Sequence, residues 1–291
     1  MFDLPKISII TPSYNQAEFI EATILSVLGQ NYRNLEYIII DGGSTDSSAD
    51  IIKKYEDKLA YWHTEKDRGQ ADAINQGFEK ATGDILMWLN SDDLLMPNIL
   101  SVVAEKYRED PMKLYYGNCI HFRNDRNVLS WGSDVVKKTE ENKLNELDYI
   151  IQPSSFWSKE IWEQTGKLSE EIHFGFDWEW FLRAEKKFEL QPIAECISMY
   201  RIHDNHKSGT GGDKRQMELL KIYESYNPQL SELYELLMNE DLDEVRKFNT
   251  IKFKIKDKLG RHTSFFQKIK TKNKAYQKFT NKQIEQLITM L

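Results

Sequence analysis

With only two cysteines in 291 residues, Cys119 and Cys196, the chain has no disulfide framework to rely on. Its seven prolines and fourteen glycines exclude a collagen-like or low-complexity polymer. No apolar run approaches the ~18 residues that a membrane helix needs. The opening MFDLPKISII lacks a basic stretch ahead of a long apolar one, so it does not read as a secretory signal. These shortages predict a soluble cytoplasmic protein. Its 40% hydrophobic, 12% aromatic and 29% charged residues are a globular composition, long enough for one large domain or two small ones.

Charge is unevenly spread. From Arg246 to the C-terminus there are thirteen Lys/Arg against Asp257 and Glu285, a net +11, whereas the first 245 residues carry 26 basic and 44 acidic groups, a net −18. An acidic body with a basic tail points to an anionic surface as the tail's partner. Within 246–291, Phe248, Ile251, Phe253, Ile255, Leu259, Phe265, Phe266, Ile269, Tyr276 and Phe279 are interleaved with the basic residues. That pattern suits an anionic membrane surface, with packing on the acidic body or on a second subunit as the alternative. No nucleic-acid motif accompanies the charge.

The chain alternates strand and helix signals. KISIITP (6–12) is a continuous apolar run, which suits a strand covered on both faces. Ile20, Ile24, Val27 and Leu28 follow at helical spacing. LEYIIID (35–41) repeats the strand, Ile51, Ile52 and Tyr55 the helix. LAYWH (59–63) leads to a helix over 71–81, in which Ala71, Ile74, Gly77 and Phe78 share a face, and DILMWLN (84–90) is the fourth strand. This order predicts right-handed crossovers and a parallel sheet with its loops gathered at the carboxyl edge. The stretch 112–205 is less regular, with a strand at 114–122 and a helix from Asp177 to about Lys187. Residues 1–210 read as one domain, and 211–291 as a helical extension, amphipathic over 213–240, ending in the basic tail.

The polar clusters sit just after strands, where an open α/β sheet binds ligands. NSDD (90–93) places hard oxygen ligands at the sheet edge, suited to Mg2+ or Mn2+ with a diphosphate completing the shell; capping of the next helix is the alternative. DGGSTD (41–46) offers Asp41 beside glycines that admit close backbone approach, or simply a turn and an N-cap. Asp67 and Arg68 in KDRGQ also fit a solvated loop pair. His203, in the Gly-rich YRIHDNHKSGTGGDK (200–214), is either a further metal ligand or a surface histidine. The loop that holds it is suited to close over a diphosphate.

Taken in order and spacing, SIITPSYNQAEFIEATILSVLGQNY, IIIDGGSTDSSADII and DRGQADAINQGFEKATGDILMWLNSDDLLMP resemble glycosyltransferase family 2, inverting enzymes of the GT-A fold, over about 1–205. FGFDWEWFLRA (174–184) looks like the family's acid-bearing helix start beside the acceptor. The resemblance implies a Rossmann-like, mostly parallel α/β sheet flanked by helices. It implies that Thr11, Pro12, Tyr14 and Asn15 line the nucleotide pocket, that Asp41 accepts a hydrogen bond from the base, favouring uracil, and that Asp67 and Gly69 lie by the nucleotide and diphosphate. Asn90, Ser91 and Asp92 take the place of the Asp-x-Asp pattern, with Asn90 near the ribose and Asp92 on the metal. Asp177 matches the catalytic base, and Phe176 replaces an acid often found before it. Gln152, Trp157, Trp178 and Glu179 are acceptor-side candidates.

These assignments imply a Mn2+- or Mg2+-dependent transfer from a nucleotide sugar, UDP-linked by the Asp41 reading, to a glycan or lipid-linked glycan in cell-surface polysaccharide synthesis, on the inner face of the membrane. Two alternatives stay open. A nucleotidyltransferase shares the α/β logic but typically has a basic phosphate loop after its first strand, and TPSYNQAEF has no Lys or Arg. A sugar-nucleotide-binding protein without catalysis is suggested by Asn90 and Phe176, against which stand Asp92 and Asp177.

Overall fold

The first strand, β1 (Ile7–Ser13), is buried along its whole length because helices cover both faces of the sheet it centres. The computed structural model describes residues 4–124, 130–204, 207, 211–240, 266 and 269–291. β1 pairs in parallel with β2 (Leu35–Asp41), which pairs in parallel with the short edge strand β3 (Tyr61–Thr64). On its other side β1 meets β4 (Ile85–Trp88), again in parallel. Helices α1 (Ile20–Leu28), α2 (Ser48–Lys53) and α3 (Gln70–Lys80) form the crossovers. Ile7 and Ile9 join Ile24, Val27 and, from α4 (Ile99–Glu109), Leu100 and Val103 in the core on one face. Ile10 points to the other face, where Gly77 lets α3 come so close that a Cβ there would lie 2.4 Å from an Ile10 methyl.

The strand order, β3-β2-β1-β4, reverses direction between β1 and β4. The β1–β4 ladder stops at Ile10↔Trp88, whereas the β1–β2 ladder continues to Ser13↔Asp41. A crevice therefore opens past Ile10, at the switch point where such sheets bind ligands.

The sheet is mixed rather than parallel throughout. β5 (Leu94–Leu95) follows β4; β6 (Leu114–Phe122) occupies the predicted 114–122; β7 (Trp131–Gly132) pairs with β6, and α5 (Val135–Glu141) comes next. β8 (Ser155–Ser158) runs antiparallel to both β4 and β6, and α6 (Lys159–Thr165) leads to α7 (Phe176–Glu185). The twelve-residue β9 (Leu190–Arg201) lies parallel to β6 and antiparallel to β5. Four buried residues, SFWS, bridge the two halves, a segment too short for its pairing direction to be read from period alone. On the α3 and α7 side an aromatic core forms: Phe78 lies 4.3 Å from Trp162, Trp88 5.4 Å from Trp157, and Trp157 4.5 Å from Trp180, centroid to centroid.

By contact density the chain divides into two compact units, 1–141 with 149–210, and 142–148 with 211–291. The second contains helices Gly212–Tyr226 and Pro228–Met238, separated at Asn227, whose side chain caps the latter ahead of Pro228. A third helix, Asn281–Ile288, begins with a Thr280/Gln283 capping box. Where it is described, the tail is packed within this unit. Phe266, Ile269, Tyr276 and Phe279 are buried within this unit, Lys272 pairs with Glu240 at 2.6 Å and Lys278 with Glu232. Burial of these four side chains removes apolar surface from water. Phe248, Ile251, Phe253, Ile255, Leu259 and Phe265 lie outside the described residues. Among the described residues no helix is long and apolar enough to cross a membrane.

At the amino end of the sheet, Glu36 on β2 is buried and accepts hydrogen bonds from Ser8 Oγ (2.5 Å), Thr82 N (2.6 Å), Thr82 Oγ1 (2.7 Å) and Lys6 Nζ (2.7 Å). Burial pushes the carboxyl up, but the bonds to Lys6, Ser8 and Thr82 outweigh it and hold the group at about 2, below its ordinary 4.5. A lowered folded value stabilises above the unfolded value, and that contribution is lost as pH falls towards 2. Glu36→Gln is therefore expected to cost about 2–3 kcal/mol at pH 7. Urea unfolding should show this difference shrinking between pH 5 and pH 2; a constant difference would mean that the charge is not what stabilises.

Candidate active site

Three loops are stitched together at the carboxyl end of β1 and β2. Gly42 N donates to Ser13 O at 2.8 Å. Asn15, in the left-handed region at φ 53°, donates its N–H to Ser44 Oγ (2.8 Å) and accepts Thr45 N–H at Oδ1 (2.8 Å). Asp41 lies beneath this surface: it is fully buried, and its carboxylate accepts from Ser44 N (2.9 Å), Ser44 Oγ (2.6 Å) and Thr64 Oγ1 (2.6 Å). Thr11 is also fully buried, its hydroxyl 3.1 Å from that of Tyr37, and Pro12 is buried beside it. Tyr14 is the open member, 58% exposed at the rim.

The DRG loop packs against the DGG loop. Gly42 leaves room for the Asp67 carboxylate, which accepts Gly69 N–H at 2.8 Å. Burial pushes the Asp67 carboxyl up, the Gly69 bond offsets part of this, and the neighbouring Asp72 and Asp41 push the same way. Gly69 has φ 122°, a conformation open to glycine and strained for other residues, as it turns into α3. Arg68 does not pair with Asp67; it binds Asp72 at 2.8 Å and Glu170 at 2.9 Å.

At the end of β4 the clustered acids separate by burial. Asp93 is buried and accepts Arg201 N–H at 3.0 Å; burial, with Asp92 adjacent, drives its carboxyl well above the ordinary range. Asp92 is half-buried, and its Oδ2 lies 3.0 Å from His203 Nε2. The His203 ring rests 4.7 Å from that of Phe19, and Arg201 Nε donates to Asp92 O at 2.9 Å. Ser91 is buried, its carbonyl accepting from Thr23 Oγ1 at 2.9 Å. Asn90 accepts from Gln70 Nε2 (2.8 Å) and donates towards Asp93 (3.3 Å) and Gln152 (3.4 Å). Lys207 Nζ donates to Gln70 Oε1 at 2.8 Å, above the ring of Phe176. Next to Phe176, Asp177 occupies the first turn of α7, with Trp178 N–H 2.9 Å from its Oδ1. The loop residues 205, 206 and 208–210 lie outside the described residues.

The profile of the family described as Glycosyl transferase family 2 matches residues 8–169, more than half of the chain. The chain belongs to this family. An uncharacterized glycosyltransferase of Mycobacterium tuberculosis is 31% identical over 203 residues, 67% of this chain and 72% of its own. The GalNAc(5)-diNAcBac-PP-undecaprenol beta-1,3-glucosyltransferase of Campylobacter jejuni is 25% identical over 256 residues, 82% of this chain and 78% of its own. In fold, the chain resembles S. aureus TarS 1–349 in complex with UDP-GlcNAc, with a TM-score of 0.61 at 16% identity over 90% of this chain and 79% of that one. It covers 47% of a longer TarS chain. It likewise resembles the mannosyltransferase PcManGT of Pyrobaculum calidifontis, in complex with GDP-Man and Mn2+, with a TM-score of 0.58 at 17% identity over 80% of this chain and 69% of that one. The sheet and its flanking helices are thus a GT-A-like fold.

Several residues assigned by likeness to glycosyltransferase family 2 have other duties here. Trp157 and Trp178 are 1% exposed, so neither presents a ring face to a sugar; both fill the core, where burial of large rings is most favourable. Glu179 holds Arg183 through both carboxylate oxygens (2.9 and 3.0 Å), and Arg183 in turn binds the carbonyls of Thr165 and Lys167. Gln152 is buried and donates to Trp88 O at 2.8 Å, setting Asn90 from behind. Asp41 and Thr11 are buried, and the bonds of Asp41 to Ser44 and Thr64 shape the loop. Sequence reasoning passed over Gln70, Arg201 and Phe19. None has a local signature, since each acquires its partner from a distant segment.

The DGG and DRG loops meet at Gly42, where a Cβ would lie 2.5 Å from Asp67 Oδ2 and 2.9 Å from its Cγ. Gly42→Ala must displace Asp67 and is expected to cost about 1–3 kcal/mol in urea unfolding. An unchanged midpoint would show that the Asp67 side chain yields without cost.

Proposed function

We propose that this family 2 glycosyltransferase is an inverting, divalent-metal-dependent enzyme that moves a sugar from a nucleotide donor, UDP-linked in the first instance, to a hydroxyl of a glycan, and that residues 1–210 supply its catalytic domain. The observation that carries the reading is the pairing of Asp92 with His203 at the crevice mouth. One carboxylate oxygen and one imidazole nitrogen 3.0 Å apart, both half-buried, fit two ligands of a cation that leaves room for diphosphate oxygens and water. Among the described residues no third His, Cys, Asp or Glu joins them, in keeping with a shell completed by substrate. The nitrogen donor suits Mn2+ better than Mg2+. When bound, the ion supplies positive charge for the leaving diphosphate. The Mn2+ with GDP-Man in PcManGT supports this choice.

The chain's own residues divide the remaining work. Tyr14, exposed at the rim of the stitched loops, offers a ring to the base. Asn90 offers its amide to the ribose, held in place by Gln70 and Gln152. Asp177, in the first turn of α7, accepts the acceptor hydroxyl proton as that oxygen attacks the anomeric carbon from the face opposite the diphosphate; the bond to the diphosphate oxygen breaks, and the configuration inverts. The UDP-GlcNAc complex of TarS supports a UDP donor. The undecaprenol-linked substrate named for the C. jejuni relative supports a lipid-linked acceptor, which would set the enzyme at the inner membrane face.

Asp92→Ala is expected to abolish the Mn2+ dependence of UDP binding in calorimetry, and His203→Ala to weaken it. Metal dependence unchanged in both variants would refute the assignment. Asp177→Asn should keep UDP affinity within a few fold while turnover falls by about 10²-fold or more. Wild-type turnover would place the base elsewhere, and donor hydrolysis absent from the wild type would favour a binding protein.

A further inference from the structure

We propose that Trp131, backed by His121 and flanked by Tyr200, is the platform on which a pyranose ring of the acceptor glycan stacks; this rests on the glycosyltransferase reading of the crevice. Of the seven tryptophans, Trp131 alone is exposed, at 47%. Its ring is fixed: it lies parallel to that of His121, its cross-strand partner, within 1° and at 5.2 Å, and His121 lies 5.5 Å from Tyr200. A flat, pre-set aromatic surface matches the C–H face of a sugar, and loses little entropy on contact.

The placement of this surface connects it to the reaction. Along β9, Ile197 belongs to the core on the α1 and α4 side, and Arg201 turns to Phe19 on that side. Strand alternation then sends Ser198 and Tyr200 to the opposite face. That is the face of Trp88 and Trp157, against which α7 packs through Phe176 and Trp180 and on which it carries Asp177. His121 and Tyr200 also sit at the carboxyl end of β6 and β9, one residue before Phe122 and Arg201, and Arg201 reaches Asp92 O. The platform thus shares the face of the sheet with the proposed base, and its edge with the proposed metal ligands. Burial keeps the His121 imidazole below its ordinary value, a hydrogen bond to the Trp131 backbone offsetting part of this.

The test uses the full chain labelled with 15N. The Trp131 indole N–H resonance is identified by its loss in Trp131→Phe, and the protein with UDP bound is titrated with methyl β-glucopyranoside, methyl N-acetyl-β-glucosaminide and methyl α-galactopyranoside. At least one glycoside is expected to shift that resonance at millimolar concentration. Trp131→Ala should weaken that glycoside by about tenfold, with Trp131→Phe retaining most of the affinity. UDP affinity should be the same within twofold in all three proteins. The proposal is overturned if no glycoside moves the Trp131 resonance, or if Trp131→Ala binds as the wild type does. UDP titrated alone reads the donor site separately: wild type that fails to bind UDP defeats the donor assignment, whereas glycosides that miss Trp131 while UDP binds defeat the platform alone.

Discussion

The buried contact between Asp93 and the Arg201 backbone ties the end of β4 to the end of β9, two strands that are far apart in the sheet order. Through it, the loop after β4 in the parallel half meets the last strand of the mixed half. The Asp93 carboxyl is dry, and burial beside Asp92 pushes it well above the ordinary carboxylate range. Arg201 completes the junction from the other direction, with its guanidinium over Phe19 and Phe122 and bonds to Asp92 O and Asn124. His203 is delivered beside Asp92 two residues later.

Burial sorts the acidic residues of the crevice by role. Asp41 and Asp93 are sealed and fully engaged, and they shape loops. Asp92 and Asp177 are only half-buried, at a strand end and a helix start. The aromatic residues separate in the same way. Six tryptophans are covered to different degrees, five of them wholly within the core, whereas Trp131 stands in solvent on a two-residue strand. The amide groups of Gln70, Asn90 and Gln152 form a chain of neutral hydrogen bonds between Lys207 and the back of β4.

Much of the fold was legible from the sequence because its signals are local. β2 occupies the predicted 35–41, β6 the predicted 114–122, and α3 and α7 begin one residue earlier than their periodicity suggests. The antiparallel insertion of β8 and the pairing of β5 with β9 were not legible, since a two- or four-residue strand has no period of its own and takes its direction from its neighbours. The motif clusters fell at strand ends as expected. Burial of Trp157 and Trp178 and the pairing of Glu179 with Arg183 were not legible either, because residue type states what a side chain is able to do and not what surrounds it.

By itself, the sequence determined the family, the alternation of strands and helices, and the set of polar loops at the carboxyl edge, because periodicity and turn chemistry act over a few residues. Only the tertiary structure decided which acid in NSDD faces His203 and which is sealed by Arg201, that the described tail residues turn their rings inward, and that Trp131 is the tryptophan left in solvent. Each of these depends on segments about 30 to 110 residues apart in the chain being brought within hydrogen-bonding or packing distance, and no local pattern encodes which partner will arrive.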